Sequence, residues 1–231
     1  MIGLLSSNQL KLIAAASMLV DHAGMILWPE LGILRRIGRL AFPIFAYMVS
    51  EGCWYTRNKL RYFLNITLPG LVFQLIYYLT TGDGYLNILL TFCMSILLIY
   101  ALRFLRHTLS GCENLGRKAF SCGLMILTLG GVWTFCRKFQ VDYGFWGIMT
   151  PVLADVFRGT KRDCLGTRTA MLAMGLLLVA ASSTANQYLS LLAIPLLLRY
   201  NGRRGKVNMK WFFYIFYPAH LVILYGIGFL L

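Results

Sequence analysis

Apolar stretches about as long as a membrane-crossing helix recur along the whole of this 231-residue chain. A helix needs about 17–25 residues to cross roughly 30 Å of hydrocarbon. Charged residues make up 13% of the sequence, about half the share that is usual in water-soluble domains, and the mean hydropathy is +0.67. Strands of about ten alternating residues are not seen, so helices are the expected spanning form. The sequence therefore predicts an all-α polytopic bundle that forms one integral membrane domain over residues 1–231.

The bundle is predicted to have about nine spans, of which the seventh and eighth are short: 8–28, 32–53, 60–80, 86–106, 119–136, 142–158, 168–183, 187–200 and 210–231. The net charge is +14, and every second loop is rich in basic residues. These loops carry 16 of the 22 lysines and arginines: Arg57, Lys59, Arg61, Arg103, Arg106, Arg117, Lys118, Arg158, Lys161, Arg162, Arg168, Arg199, Arg203, Arg204, Lys206 and Lys210. Such an excess is typical of cytoplasmic loops. The N-terminus is predicted inside and the C-terminus outside. The charge is assigned to topology and to anionic membrane lipids, not to nucleic acid.

Asp21 and His22 stand side by side inside the apolar run of the first predicted span. A charge at mid-bilayer costs from about 2.5 to more than 10 kcal/mol, so a functional role is the first hypothesis for such residues. Lys11 precedes His22 by about three turns, which places both on one face roughly 16 Å apart. Asp21 points about 100° away from His22. It can orient the imidazole only if the helix bends, and otherwise it pairs with a base on another span.

The second predicted span carries Arg35 and Arg39 four residues apart. They fall toward the outer end, where positive charge is least expected. Pro43 is expected to kink this span and to open space, because proline removes a backbone hydrogen bond. Snorkelling to the membrane surface is the alternative for the two arginines, and also for Glu51 near the other end of the span.

His220 lies in the last predicted span, ten residues beyond Lys210 and so about 15 Å deep. It and His22 are therefore expected to reach a similar depth. Two such histidines suit a general base, a proton relay or a metal site. No HxxxH, ExxH or CxxC spacing supports a metal, and none is expected.

Three classes of function are compatible with these residues. A proton-coupled transporter would use Asp21 and His22 as its relay, although no inverted repeat is visible. A group transfer across the membrane would hold an anionic carrier such as coenzyme A at the basic face and admit the acceptor from outside. A non-catalytic assembly factor would need neither. Composition does not choose among the three.

Four blocks of sequence carry a family resemblance: "LKLIAAASMLVDHAG", "RRIGRLAFPIFAYMVSEGCWYTRN", "DYGFWGIMTP" and "FYIFYPAHLVIL". In this order they resemble the TraX family of multi-pass bacterial membrane proteins, named for the enzyme that acetylates the N-terminus of conjugative pilin. That family is grouped with a wider superfamily of membrane acyltransferases, whose first span carries a basic residue, ten intervening residues and a histidine. Lys11 and His22 match this spacing, with lysine where arginine is usual. Lysine lacks the bidentate contact of a guanidinium.

The resemblance implies an acyltransferase of the bacterial cytoplasmic membrane that uses acetyl-coenzyme A as its donor. It implies a working site lined by Asp21, His22, Arg39, Glu51, Asp142, Tyr143 and His220. Within it, His22, Asp21, Arg39 and His220 are expected to be catalytic, His22 as the general base. Substrate contacts are expected from Lys11, Arg35, Glu51, Asp142 and Tyr143, although Asp142 alone would also pass as a helix cap. The phosphates of the donor are expected to meet Arg203, Arg204, Lys206 or Lys210. The acceptor, whether a pilin N-terminus, a peptide amine, a sugar or a lipid headgroup, is not readable from the sequence.

Overall fold

The structure is a computed structural model, and it describes residues 3–207 and 209–230. These residues form α1 (Ser7–Ile26), α2 (Gly32–Gly38), α3 (Ala41–Tyr55), α4 (Lys59–Thr81), α5 (Ile88–Ser110), α6 (Leu115–Lys138), α7 (Gly144–Asp155), α8 (Leu165–Ala181), a 3₁₀ helix (Ala185–Ala193), α9 (Ile194–Leu198) and α10 (Lys210–Leu230). Within those ranges, β-structure is limited to two isolated bridges. The predicted all-helical class is confirmed.

Polar side chains begin several of these helices. The backbone N–H of Ser6 donates to Oε1 of Gln9 over 2.8 Å, and the two residues form a capping box for α1. Asn58, Asn87 and Asn114 cap α4, α5 and α6 by accepting hydrogen bonds from backbone N–H groups of the first turn. Each cap satisfies a donor that the helix itself leaves unpaired.

Within the described part of the chain, three helices are long and apolar enough to cross a membrane on their own: α4 over Lys59–Leu79, α5 and α6. Only 11% of the apolar windows of α4 and α6 are buried, against 44% for α5. Therefore α4 and α6 lie at the periphery, where their apolar surface suits lipid. Core residues such as Ile44, Ile96 and Leu172 come from α3, α5 and α8 and are fully buried.

The second predicted span, 32–53, is not one continuous helix. It is broken at Arg39 and Leu40, between α2 and α3. Pro43 explains the position, because its ring has no N–H for the carbonyl of Arg39 and would clash with that carbonyl in a continuous helix. The expected kink is confirmed, but it is a full break.

The eighth predicted span, 187–200, is not an ordinary transmembrane α-helix. Seven of its residues belong to the nine-residue 3₁₀ helix Ala185–Ala193, and five to α9, which together have 14 residues. A 3₁₀ helix rises about 2.0 Å per residue against 1.5 Å for an α-helix, so the 14 residues extend about 25 Å. The greater rise per residue gives this short segment about the same length as α8.

The basic loops gather at one end of the bundle, called here the basic end. The N–H of Ser7 donates to the carbonyl of Arg203 over 2.8 Å, the guanidinium of Arg106 donates to the carbonyl of Val156 over 2.8 Å, and Arg158 lies over the ring of Tyr55. The opposite end joins the α4–α5 and α6–α7 connections, where the N–H of Asp142 donates to the carbonyl of Leu86 over 3.0 Å. Thus loops adjacent in sequence alternate between the two ends.

Candidate functional site

The first and last long helices meet through their histidines. Nδ1 of His22 lies 2.8 Å from Nε2 of His220, and the two rings are 5.0 Å apart between centroids. His220 is buried and His22 is half-buried. The expectation that both histidines reach a similar depth is confirmed.

The hydrogen bonds of this pair fix which nitrogen of His22 is free. Nδ1 of His220 lies 2.7 Å from the carbonyl oxygen of Phe216, which can only accept, so this nitrogen carries a proton. In the neutral ring Nε2 of His220 is then an acceptor, and Nδ1 of His22 donates to it. Nε2 of His22 is left with its lone pair, and it has no hydrogen bond to any backbone group or side chain that the structure describes. The hydrogen bonds of His220 thus set the tautomer of His22.

Asp21 does not contact His22. Its Oδ2 forms an ion pair of 3.1 Å with Nη1 of Arg35, which lies in α2. Gly38 permits this close approach of α1 and α2, because a β-carbon on Gly38 would overlap the side chain of Asp21. Of the two arrangements left open by the sequence, the structure contains the pairing with a base on another segment.

Arg39, Asp142 and Tyr143 come together at the break between α2 and α3. The guanidinium of Arg39 interacts electrostatically with the carboxylate of Asp142 and the hydroxyl of Tyr143. The ring of Tyr143 stacks on Phe42 with centroids 4.0 Å apart. Asp142 accepts a hydrogen bond of 3.0 Å from the hydroxyl of Tyr85. The side chain of Asp142 does not cap α7, because Tyr143 occupies the cap position and no side-chain bond is formed there.

Tyr143 adopts a backbone conformation that non-glycine residues avoid, with φ +60°. Such strain costs about 1–3 kcal/mol and is concentrated at ligand clamps and active sites. The stack on Phe42 and the contact with Arg39 hold the residue there. We expect the strained turn to fix the direction in which Tyr143 faces Arg39.

Glu51 is not part of this cluster. Its carboxylate accepts hydrogen bonds from Arg158 and, over 2.6 Å, from Arg168, at the basic end. Asp163 lies 3.2 Å from Arg168 and completes the group. Glu51 therefore lies away from His22, at the basic end, where Arg158 and Arg168 neutralise its buried charge.

A cavity of about 780 Å³ connects the basic end with the neighbourhood of the histidines. Its lining at the basic end includes Lys11, Glu51, Arg61, Tyr200 and Arg204. Its far end is apolar and includes Met18, Phe45, Phe92, Phe216 and Tyr217. Met18 and Phe216 precede His22 and His220 by one helical turn. The histidines themselves are not among the lining residues, so the cavity stops one turn short of them.

The remaining basic residues expected to bind a donor are arranged unevenly. Lys11 lines the cavity and lies over the ring of Phe213. Arg204 lines the same cavity, whereas Arg203 and Lys206 are exposed outside it. The side chain of Lys210 lies outside the described residues. Among the expected phosphate-binding residues whose side chains the structure describes, only Arg204 lines the cavity.

A second cavity, of about 450 Å³, lies at the opposite end. Tyr85 and Tyr143 line it together with Trp133, Trp146 and Ser183. Tyr85 and Tyr143 also contact Asp142 or Arg39. The smaller cavity thus reaches the polar cluster through Tyr143, whereas the larger cavity ends at Met18, Phe216 and Tyr217.

Sequence reasoning missed three kinds of partner. Arg158 and Arg168 counted only as loop charge, although both bind Glu51. Nothing in the sequence marked Tyr85 as a candidate site residue, because tyrosines are common in polar loops. Tyr217 precedes Pro218 in the last of the four sequence blocks that carry the family resemblance. Residue spacing alone could not predict its position relative to the cavity. Among the described residues, no three His, Cys, Asp or Glu side chains form a group suited to a metal ion.

These helices, with their lipid-suited surfaces and internal polar cluster, define a helical membrane protein. The chain belongs to the TraX family, since the family described as "TraX protein" matches residues 6–228. It is 26% identical to "Probable fimbrial assembly protein FimC, serogroup H1" of Dichelobacter nodosus, over 95% of this chain and 94% of that protein. It is also 38% identical to "Uncharacterized protein RP591" of Rickettsia prowazekii (strain Madrid E) over 66 residues, 29% of this chain and 25% of that protein. No solved structure matches. The resemblance found in the sequence is confirmed.

Proposed function

We propose that the protein is a membrane-embedded acyltransferase of the bacterial cytoplasmic membrane. It moves an acyl group, acetyl in the first instance, from acyl-coenzyme A to an amine or hydroxyl acceptor. The basic end faces the cytoplasm, the chain crosses nine times, and the acceptor reaches the site from outside. The observation that carries the proposal is the unpaired Nε2 of His22, held in its basic tautomer by His220 one turn beyond a cavity open to the basic end.

The donor would occupy the cavity of about 780 Å³, which lies within the usual size range of cofactor sites. Lys11, Arg61 and Arg204 would meet the phosphates at the basic end, because guanidinium and ammonium groups pair with phosphate. The apolar far end would take the pantetheine arm and direct the thioester toward His22. No metal enters this scheme.

The acceptor would enter through the smaller cavity, past Tyr85 and Tyr143. Its amine or hydroxyl would give a proton to Nε2 of His22 as it attacks the thioester carbonyl. A new C–N or C–O bond forms, the C–S bond breaks, and the thiolate of coenzyme A recovers that proton from His22. His220 would stabilise the imidazolium through the hydrogen bond it accepts from Nδ1 of His22. Arg39 would supply positive charge beside the reacting groups.

The test is release of free coenzyme A, measured by mass spectrometry on purified protein in lipid nanodiscs supplied with acetyl-coenzyme A and amine, sugar and peptide acceptors. We expect His22→Ala to lower kcat by about 10²–10⁴-fold, the usual contribution of general-base catalysis. His107→Ala is the matched control, because His107 is exposed at the end of α5, away from the site. A His22→Ala protein as active as the wild type, or a wild type that releases no coenzyme A with any acceptor, would contradict the proposal.

A non-catalytic role in assembling fimbriae or other envelope structures is the second candidate. It is favoured by the name of the Dichelobacter nodosus relative, which covers 95% of this chain. This role predicts a stable protein partner in cross-linked membranes and normal assembly with His22→Ala. The acyltransferase predicts that His22→Ala abolishes the biological effect while the protein still inserts.

A further inference from the structure

Tyr217 lies where α1, α3 and α10 meet. It packs against Met18 of α1 and Ala41 of α3 in a small apolar cluster separate from the main core. Met18 is one turn from His22, and Ala41 is two residues from Arg39. The residue is 9% exposed, so its position is set by packing on three helices.

The side chain of Tyr217 has two kinds of neighbour. Its ring lines the cavity of about 780 Å³ and packs edge-to-face against Phe73 and His220, with centroids 5.4 Å and 5.9 Å away. It also interacts electrostatically with Asp142, Tyr143 and Tyr85, the polar groups on the far side of the break between α2 and α3. Tyr217 therefore stands between the apolar end of the cavity and the polar cluster.

The hydroxyl of Tyr217 has no hydrogen-bond partner among the backbone groups and side chains that the structure describes. Buried tyrosines usually find one, as Tyr85 does at Asp142. Two other tyrosines, Tyr47 and Tyr100, have sealed hydroxyl oxygens without a partner, but Tyr217 is not of that kind. Tyr217 lines the apolar end of the cavity, so its O–H has no bond to break before it donates to a molecule that arrives there.

We infer that Tyr217 is a catalytic residue of the acyl transfer, an inference that rests on the function proposed above. Its O–H donates a hydrogen bond to the carbonyl oxygen of the thioester, which gains negative charge as the acceptor attacks. The acceptor proton goes to Nε2 of His22 and then to the departing thiolate, so Tyr217 keeps its own proton throughout. A donor aimed at the developing oxyanion lowers the barrier more than it strengthens substrate binding.

The experiment compares Tyr217→Phe with the wild type in nanodiscs. This substitution removes the oxygen and keeps the ring that packs on Phe73 and His220. We expect kcat to fall about 10²–10³-fold, as when one oxyanion donor is removed, with KM and the calorimetric Kd for acetyl-coenzyme A changed little. Tyr225→Phe is the matched control, because Tyr225 is an exposed tyrosine of the same helix and its removal leaves kcat unchanged.

The outcomes separate this inference from the proposed function. A wild type that transfers acetyl groups and a Tyr217→Phe variant with the same kcat would overturn the role of Tyr217 alone. A weaker Kd with unchanged kcat would make Tyr217 a binding residue and would also overturn it. Failure of the wild type to release coenzyme A overturns both the role of Tyr217 and the proposed function.

If Tyr217→Phe does not fold, the experiment is repeated with 3-fluorotyrosine at position 217. A more acidic phenol changes kcat if the O–H stabilises the oxyanion, and an unchanged kcat contradicts the inference.

Discussion

At the residue scale, buried charges are neutralised in separate places. Asp21 pairs with Arg35 near the histidines, whereas Glu51 binds Arg158 and Arg168 at the basic end. An unpaired ion in a low-dielectric interior is costly, and removing one partner leaves the other uncompensated. The Glu51 group is thus a structural anchor of the loop between α7 and α8.

Glu51→Ala tests this anchor. We expect the unfolding free energy to fall by about 3–5 kcal/mol, because two arginine charges lose their counter-ion. Denaturant titration in mixed micelles measures it. Glu113→Ala is the matched control: Glu113 pairs with Arg117 on the surface, and losing that pair costs about 0.5 kcal/mol or less. Equal effects of the two substitutions would contradict a buried anchor.

The sequence predicted the depth of the two histidines and offered a basic partner on another span for Asp21, but it did not predict the partners of Glu51. Depth follows from counting residues along a helix, because each adds about 1.5 Å. Partners depend on packing: Glu51 and Arg158 are 107 positions apart, and no local pattern connects them. The role inferred for Tyr217 could not be predicted for the same reason, because it depends on a cavity lined by α1, α3, α4, α5 and α10.

At the element scale, the break between α2 and α3 organises the site. Arg39 lies in the break itself, and its guanidinium interacts electrostatically with Asp142 and Tyr143. Pro43 made the disruption predictable. The 3₁₀ helix Ala185–Ala193 was not predictable, because its apolar residues fit an α-helix equally well and tertiary packing selects the more extended form.

Gly38→Ala tests the contact between α1 and α2. The new β-carbon would overlap Asp21, so we expect the Asp21–Arg35 pair to break, thermal stability to fall and acyl transfer to decrease. Differential scanning fluorimetry and the coenzyme A assay measure the two effects. Gly32→Ala, in the same short helix, is the control because its β-carbon would meet nothing within 4 Å. Unaltered stability in Gly38→Ala would show that the helices need no such close approach.

At the scale of the whole molecule, the grouping of basic loops at one end follows from the sequence. The distribution of lysine and arginine predicted which loops share a side, and the contacts among Ser7, Arg106, Val156 and Arg203 agree with it. Which end faces the cytoplasm is part of the proposal.

Two native cysteines test the orientation. Cys112 and Cys164 are free, exposed and at the basic end, and hydrogen bonds with Thr167 lower the pKa of the Cys164 thiol, which favours its reactive thiolate. We expect a membrane-impermeant maleimide to modify both in inverted vesicles and neither in intact spheroplasts, as read by mass spectrometry.

The control places a cysteine at the opposite end. Ser183→Cys, made in a background without Cys112 and Cys164, occupies an exposed position after α8 and should react in intact spheroplasts. Modification of Cys112 and Cys164 from outside would reverse the orientation and move the donor entrance to the wrong compartment.

The unequal lengths of the helices have a consequence for the surrounding lipid. At the periphery α6 extends about 36 Å, whereas α8 and the 3₁₀–α9 segment form a shorter flank of about 26 and 25 Å. Bilayers adapt to short hydrophobic stretches by becoming thinner beside them. We therefore expect headgroups and water to be drawn inward along the short flank, so that a polar reactant travels less than the full thickness of the hydrocarbon to meet its partner.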